Sequence, residues 1–226
     1  MNRKNLNLKN DQALRVENVS FSWNKKSEYV IHNCNLSISK SGLWMVVGKN
    51  GCGKSTLFKL LKGILTPTQG CIKRPLQMSI VFQNPDHQIL MPTCGSELIL
   101  NVKPKMSKQN LIEKVDIALK SVGMDGFFKR PIHTLSGGQK QRLAIASALI
   151  SDSAFLLMDE PTALLDEFSQ KQILEIIKNL TISETKPLAV LWITHRLEEL
   201  EYADKVSIMK EGRLSEWENP HNLKYI

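Results

Sequence analysis

Residues 48–56 read Gly48-Lys49-Asn50-Gly51-Cys52-Gly53-Lys54-Ser55-Thr56, a spacing whose chemistry is the capture of phosphate. It has the form G-x-x-x-x-G-K-[ST], in which a glycine-rich turn opens a helix and aims backbone N–H groups at an anion. Gly48, Gly51 and Gly53 permit the turn, Lys54 supplies a point charge for the β- and γ-phosphates, and the Ser55 hydroxyl can ligate Mg²⁺. About eighty residues later, Ser136-Gly137-Gly138-Gln139 opens a second helix and makes a second anion-receptive N-terminus. Asp159 and Glu160 close the apolar run Phe155-Leu156-Leu157-Met158. A strand that delivers two acids beside a phosphate loop places Asp159 to orient Mg²⁺ through its water shell. The same placement lets Glu160 accept a proton from attacking water.

These groups need elements to hold them. Val19, Phe21 and Trp23, two apart, followed by Leu36 and Ile38, predict half-buried antiparallel strands. The run at 43–47 predicts a buried strand feeding the phosphate loop, and Leu57, Leu60, Leu61 and Ile64 predict one apolar face on the helix after it. Residues 66–70 read as a turn and 79–82 as a short strand. From about 84 to 134 no strand signal is strong, and 111–124 predict a helix ending near Gly123. Strands follow at 154–158 and 188–193, separated by a helix with Ile173, Ile176, Ile177 and Leu180 on one face. A hairpin at 206–214 turns at Glu211-Gly212. Strands alternating with helices around such a loop predict a mostly parallel α/β sheet.

The loop together with Leu135-Ser136-Gly137-Gly138-Gln139-Lys140-Gln141-Arg142 resembles the nucleotide-binding subunits of ABC transporters, whose signature begins LSGGQ. The resemblance runs from Trp23 to His195 and the closing hairpin. It implies an α/β P-loop NTPase fold of ABC type, with a mostly parallel sheet, an N-terminal antiparallel β subdomain and an inserted helical signature subdomain. The whole would be a single domain over 1–226, with the helical insert at about 84–150. ATP and Mg²⁺ are the implied ligands. Trp23 would stack on adenine, residues 48–56 would hold the phosphates, and Ser55, Gln83 and Asp159 would serve Mg²⁺. Glu160, His195 and Gln83 would be catalytic, with His195 touching the γ-phosphate and Gln83 sensing Mg²⁺ and water. Ser136, Gly137, Gly138, Gln139 and Asp166 would complete the site of a second, facing chain; Ala163 stands where a serine is commoner.

Residues 81–88, Val-Phe-Gln-Asn-Pro-Asp-His-Gln, combined with the signature, look most like the ATPases of energy-coupling-factor importers for cobalt, nickel and vitamins. His87 stands where an acid is usual. The implied partners are a second copy or a related ATPase, and transmembrane transporter subunits docking at the segment around Gln83. The implied location is peripheral, on the cytoplasmic face of the membrane. A soluble ABC ATPase in cofactor assembly or another non-transport role stays open as the alternative.

Composition narrows the classes further. With 42% hydrophobic and 23% charged residues in 226, the chain reads as an ordinary globular protein. Its longest apolar runs, 43–47 and 143–150, fall well short of the ~20 residues that span a bilayer. The N-terminal ten residues carry no secretory pattern. A net charge of +8 suits anionic partners, but apart from Arg3, Lys4 and Lys9 the charges are scattered. No basic tract interleaves with aromatics, so nucleic acid is not expected. Cys34, Cys52, Cys71 and Cys94 form no C-x-x-C pair, which argues against zinc and against a disulfide scaffold.

Overall fold

Two kinds of apolar pattern produce two sheets in the computed structural model, which describes residues 13–24, 28–102, 106–183 and 188–223. The basic cluster at Arg3, Lys4 and Lys9 lies outside the described residues. The half-buried strands β1 (Leu14–Phe21) and β2 (Ile31–Ile38) pair antiparallel, and β1 pairs on its other side, also antiparallel, with the exposed β4 (Gln69–Lys73). The remaining strands are β3 (Gly42–Val47), β5 (Met78–Val81), β6 (Phe155–Asp159), β7 (Ala189–Thr194), β8 (Lys205–Lys210) and β9 (Arg213–Leu214). They form one sheet in the order β5-β6-β7-β3-β8-β9, parallel except for the β8–β9 hairpin. β3 and β7 are buried at every residue, as strands covered on both faces must be.

Alternate residues of these strands feed two cores. Leu43, Met45, Val47, Met158 and Trp192 face the cluster built on the helices α3 (Lys108–Ser121), α4 (Gly137–Ile150) and α5 (Glu167–Thr181). Trp44, Val46, Leu157 and Ile193 face the other, shared with α1 (Lys54–Lys62) and the antiparallel sheet. Between β5 and β6 the chain forms α2 (Cys94–Leu100), α3 and α4, packed on one another through Leu98, Val115, Leu119 and Leu143. Among the described residues no helix is long and apolar enough to cross a membrane.

The structure differs from the sequence expectations in three places. β1 carries a bulge at Asn18 (φ 52°) and ends at Phe21, so Trp23 lies beyond the strand and is 56% exposed. Ile64 is not on the buried face of α1. That helix stops at Gly63 (φ 85°), where Arg74 donates to the carbonyls of Leu60 and Leu61 at 2.6 and 2.7 Å, and Ile64 is left exposed. The expected turn at 66–70 already contains the start of β4, an edge strand so exposed that it has no apolar alternation to read.

Candidate nucleotide site

Register brings the candidate groups to one edge. Val47 pairs with Thr194, Asp159 with Ile193, and Val81 with Met158. Parallel strands aligned in this way release Gly48, Glu160, His195 and Gln83 at their carboxyl ends, the edge where α/β sheets bind ligands. Gly48 approaches β8 so closely that a Cβ would fall 2.3 Å from the Met209 carbonyl oxygen. At Gly53, φ is 112°, and the first bond of α1 is Leu57 N–H to Gly53 O at 2.9 Å. The N–H groups of Lys54, Ser55 and Thr56 precede that bond and point out of the helix start.

Lys54 is 5% exposed and folds back over its own loop, donating to Gly48 O at 2.7 Å and Lys49 O at 3.0 Å. Its Nζ lies 4.0 Å from Glu160 Oε1. Glu160 adopts a left-handed backbone (φ 44°), sparsely populated for a residue with a side chain. Its N–H is held by Ile193 O at 2.8 Å, and its carboxylate Oε1 lies 3.0 Å from His195 Nδ1. Lys54 and His195 thus meet at one oxygen of the Glu160 carboxylate. Burial, with the adjacent Glu160 charge, pushes the Asp159 carboxyl up to about 6, against the opposing pull of Lys54 and Lys59. A cation beside Asp159 would relieve that cost.

The donor set fits Mg²⁺. Ser55 has an exposed hydroxyl at the helix start, and Asp159 and Gln83 offer further oxygens at the same edge. Among the described residues no three His, Cys, Asp or Glu side chains gather into a cage. Mg²⁺ needs none, being held typically by one or two protein oxygens plus phosphate and water.

The other expected residues sit apart. Trp23 meets Phe21 edge-on at 5.2 Å, and Lys59 of α1 lies 5.9 Å from its centroid, which leaves the indole beside the phosphate-loop helix with much of its surface open. Ser136 caps α4, accepting from Gln139 N–H at 3.2 Å, while Gln139 Oε1 accepts from Ser136 N–H at 3.0 Å. Asp166 caps α5 and accepts from the Ser169 N–H and hydroxyl, bonds that hold its carboxyl below the usual range. Gly137 is exposed, whereas Gly138 is buried against Ser169.

Two features escaped the sequence. Gly212, read only as a hairpin turn, donates to Cys52 O at 2.9 Å and accepts from His32 N–H at 2.8 Å, so the β8–β9 turn braces the phosphate loop against β2. Nothing local to an Glu-Gly dipeptide encodes that contact. Asp86, an exposed side chain, is ion-paired to Lys140 of α4 at 2.8 Å, and Gln141 donates to Phe82 O at 3.0 Å. The segment around Gln83 is therefore tied to the signature helix.

Residues 31–163 match the family described as ABC transporter. ABC transporter I family member 10 of Arabidopsis thaliana is 41% identical over 207 residues, covering 89% of this chain and 76% of that protein. The energy-coupling factor transporter ATP-binding protein EcfA1 of Mycoplasma mobile is 33% identical over 219 residues, 91% of this chain and 79% of its own. Among solved structures, cbiO1 from Clostridium perfringens, part of the ABC transporter complex cbiONQ, superposes with a TM-score of 0.85 at 30% identity, over 93% of this chain and 89% of that one.

Proposed function

The chain belongs to the ABC transporter family and carries its ATPase fold, and from that premise we propose that it powers a membrane transporter as one half of an ATPase pair. Two copies, or this chain and a close relative, close around two Mg²⁺-ATP molecules. The observation that carries this reading is the meeting of Lys54, Glu160 and His195 at one sheet edge, with 4.0 Å and 3.0 Å contacts to a single carboxylate oxygen.

Lys54 exchanges the Gly48 and Lys49 carbonyls for the β- and γ-phosphates, so its buried charge stays paired throughout. Glu160 takes the proton of the attacking water, and His195 steadies the Glu160 carboxylate and contacts the γ-phosphate. Mg²⁺, when bound through Ser55, Asp159 and Gln83, neutralises phosphate charge and aligns the reacting oxygens. Trp23 offers its open face to adenine. Ser136, Gly137, Gly138, Gln139 and Asp166, at exposed or interhelical positions, serve the site of the facing chain.

The similarity to EcfA1 and to cbiO1 supports the energy-coupling type of importer, with this subunit peripheral on the cytoplasmic face. Transmembrane partners dock at the segment around Gln83, whose tie to α4 gives it a route from nucleotide to partner. Co-purification from detergent-solubilised membranes tests this. Recovery of a polytopic scaffold and a substrate-binding membrane protein is expected. Recovery of soluble proteins alone, with ATP hydrolysis intact, would overturn the transport role in favour of cofactor assembly.

A further inference from the structure

A buried carboxylate that takes no part in the proposed chemistry lies directly behind it. Glu199 is 1% exposed and sits in the short helical segment Leu197–Tyr202 that follows His195. A carboxylate removed from water persists only where its oxygens are bonded and its charge is offset. Both conditions are met. Oε1 accepts from the hydroxyl of Thr162, itself fully buried, and Oε2 accepts from Trp192 Nε1 at 2.9 Å. The Arg196 guanidinium Nε lies 3.6 Å from Oε1.

The ends of this bridge matter more than its burial. Trp192 is inside β7, three residues before His195, and is immobilised by the sheet. Thr162 is two residues after Glu160, in the loop that continues to Asp166. The same loop is held by Glu160 N–H on Ile193 O at 2.8 Å and by Gln170 Nε2 on Leu165 O at 2.6 Å. On the His195 side, Arg196 N–H donates to the buried Thr194 hydroxyl at 3.0 Å. Glu199 therefore spans the two segments that carry the base and the histidine, and it is fixed at one end to the sheet.

We propose that Glu199 is a positioning residue for hydrolysis: by joining Thr162 to Trp192 it sets the placement of Glu160 against His195 and of the loop leading to Asp166. The unusual backbone of Glu160 (φ 44°) needs such support, because a left-handed glutamate relaxes unless the surrounding contacts over-determine it. Glu199 itself is buried, its carboxylate bonded to Thr162 and Trp192 and close to Arg196. Its loss acts on turnover through geometry and leaves the phosphate loop alone.

This inference rests on Glu160 being the base, so Glu160→Gln is measured beside it. Thr162→Val keeps the side-chain volume and removes the donor, whereas Thr162→Ser keeps the donor and removes a methyl. With the full chain, Thr162→Val is expected to lower kcat by roughly 10- to 100-fold, as a misplaced catalytic group does. Its KM for ATP stays within about twofold, the pattern of a contact needed only in the transition state. Thr162→Ser retains kcat within about threefold, on the premise that the hydroxyl carries the effect. Adding Glu199→Gln to Thr162→Val lowers kcat little further, because both remove the same link. Wild-type kcat in Thr162→Val, or equal losses in the Val and Ser variants, overturns the role of the bridge while leaving an inactive Glu160→Gln unaffected. Substantial turnover in Glu160→Gln removes the base and this inference with it.

Discussion

The phosphate-loop edge and the signature region are both helix starts rich in glycine, yet they use their polar groups in opposite ways. At the loop, Lys54, Glu160 and His195 come from three distant segments and meet one another, so one chain assembles that half of the site. At the signature, Ser136 and Gln139 bond each other in a reciprocal cap, and Asp166 bonds Ser169 of its own helix. The Ser136–Gln139 cap occupies an acceptor oxygen on each side chain and leaves the hydroxyl proton and amide N–H groups, the donors an anion requires. One region draws its groups together within the chain, and the other, on the proposed reading, offers its donors to a facing chain.

Breaking the first region has the largest effect. Glu160→Gln is expected to cut turnover by about 10²–10⁴, since the amide cannot take the proton. ATP binding survives, and size exclusion shows an ATP-stabilised dimer; hydrolysis close to wild type would end the assignment of the base. Mixing comes next. Lys54→Ala damages one region and Ser136→Arg the other, and each variant alone is inactive. If each site takes its loop from one chain and its signature from the other, a hybrid pair keeps one undamaged site, and mixing restores part of the ATPase. Hybrids that form but hydrolyse nothing would refute the shared site.

A smaller effect sharpens the contrast at Gly138. A Cβ there would lie 2.6 Å from Ser169 Oγ, so part of its need for glycine comes from packing of α4 against α5 within one chain. Gly138→Ala should therefore cost about 1–3 kcal/mol. At roughly 2–4 °C per kcal/mol for a domain of this size, thermal melting of the nucleotide-free chain reads it. An unchanged melting temperature would assign Gly138 to ligand contact alone. The smallest effect belongs to the Asp86–Lys140 pair, whose Asp86 side chain is 58% exposed. Asp86→Lys should shift stability by less than about 1 kcal/mol. Urea midpoints test it; a larger loss would make the tie between the Gln83 segment and α4 structural.

Local chemistry determined much of this protein by itself. The unbroken apolar run of β3, the stripe Leu57-Leu60-Leu61, and the Ser136 cap three residues ahead of Gln139 are each written within one or two turns of chain. The donors of the phosphate loop likewise follow from glycine spacing and a helix start. Where burial gave no period, as along the exposed edge strand β4, or where a single residue cut one short, as Gly63 does before Ile64, the pattern misled. Only the tertiary structure decided that Glu160 meets His195, that Glu199 reaches back 37 positions to Thr162, and that Gly212 braces Cys52. Those contacts depend on which strands stand side by side and where their loops then emerge, an order held by backbone hydrogen bonds that every sequence can make. Side-chain spacing along one strand does not specify which residue of another strand will stand beside it.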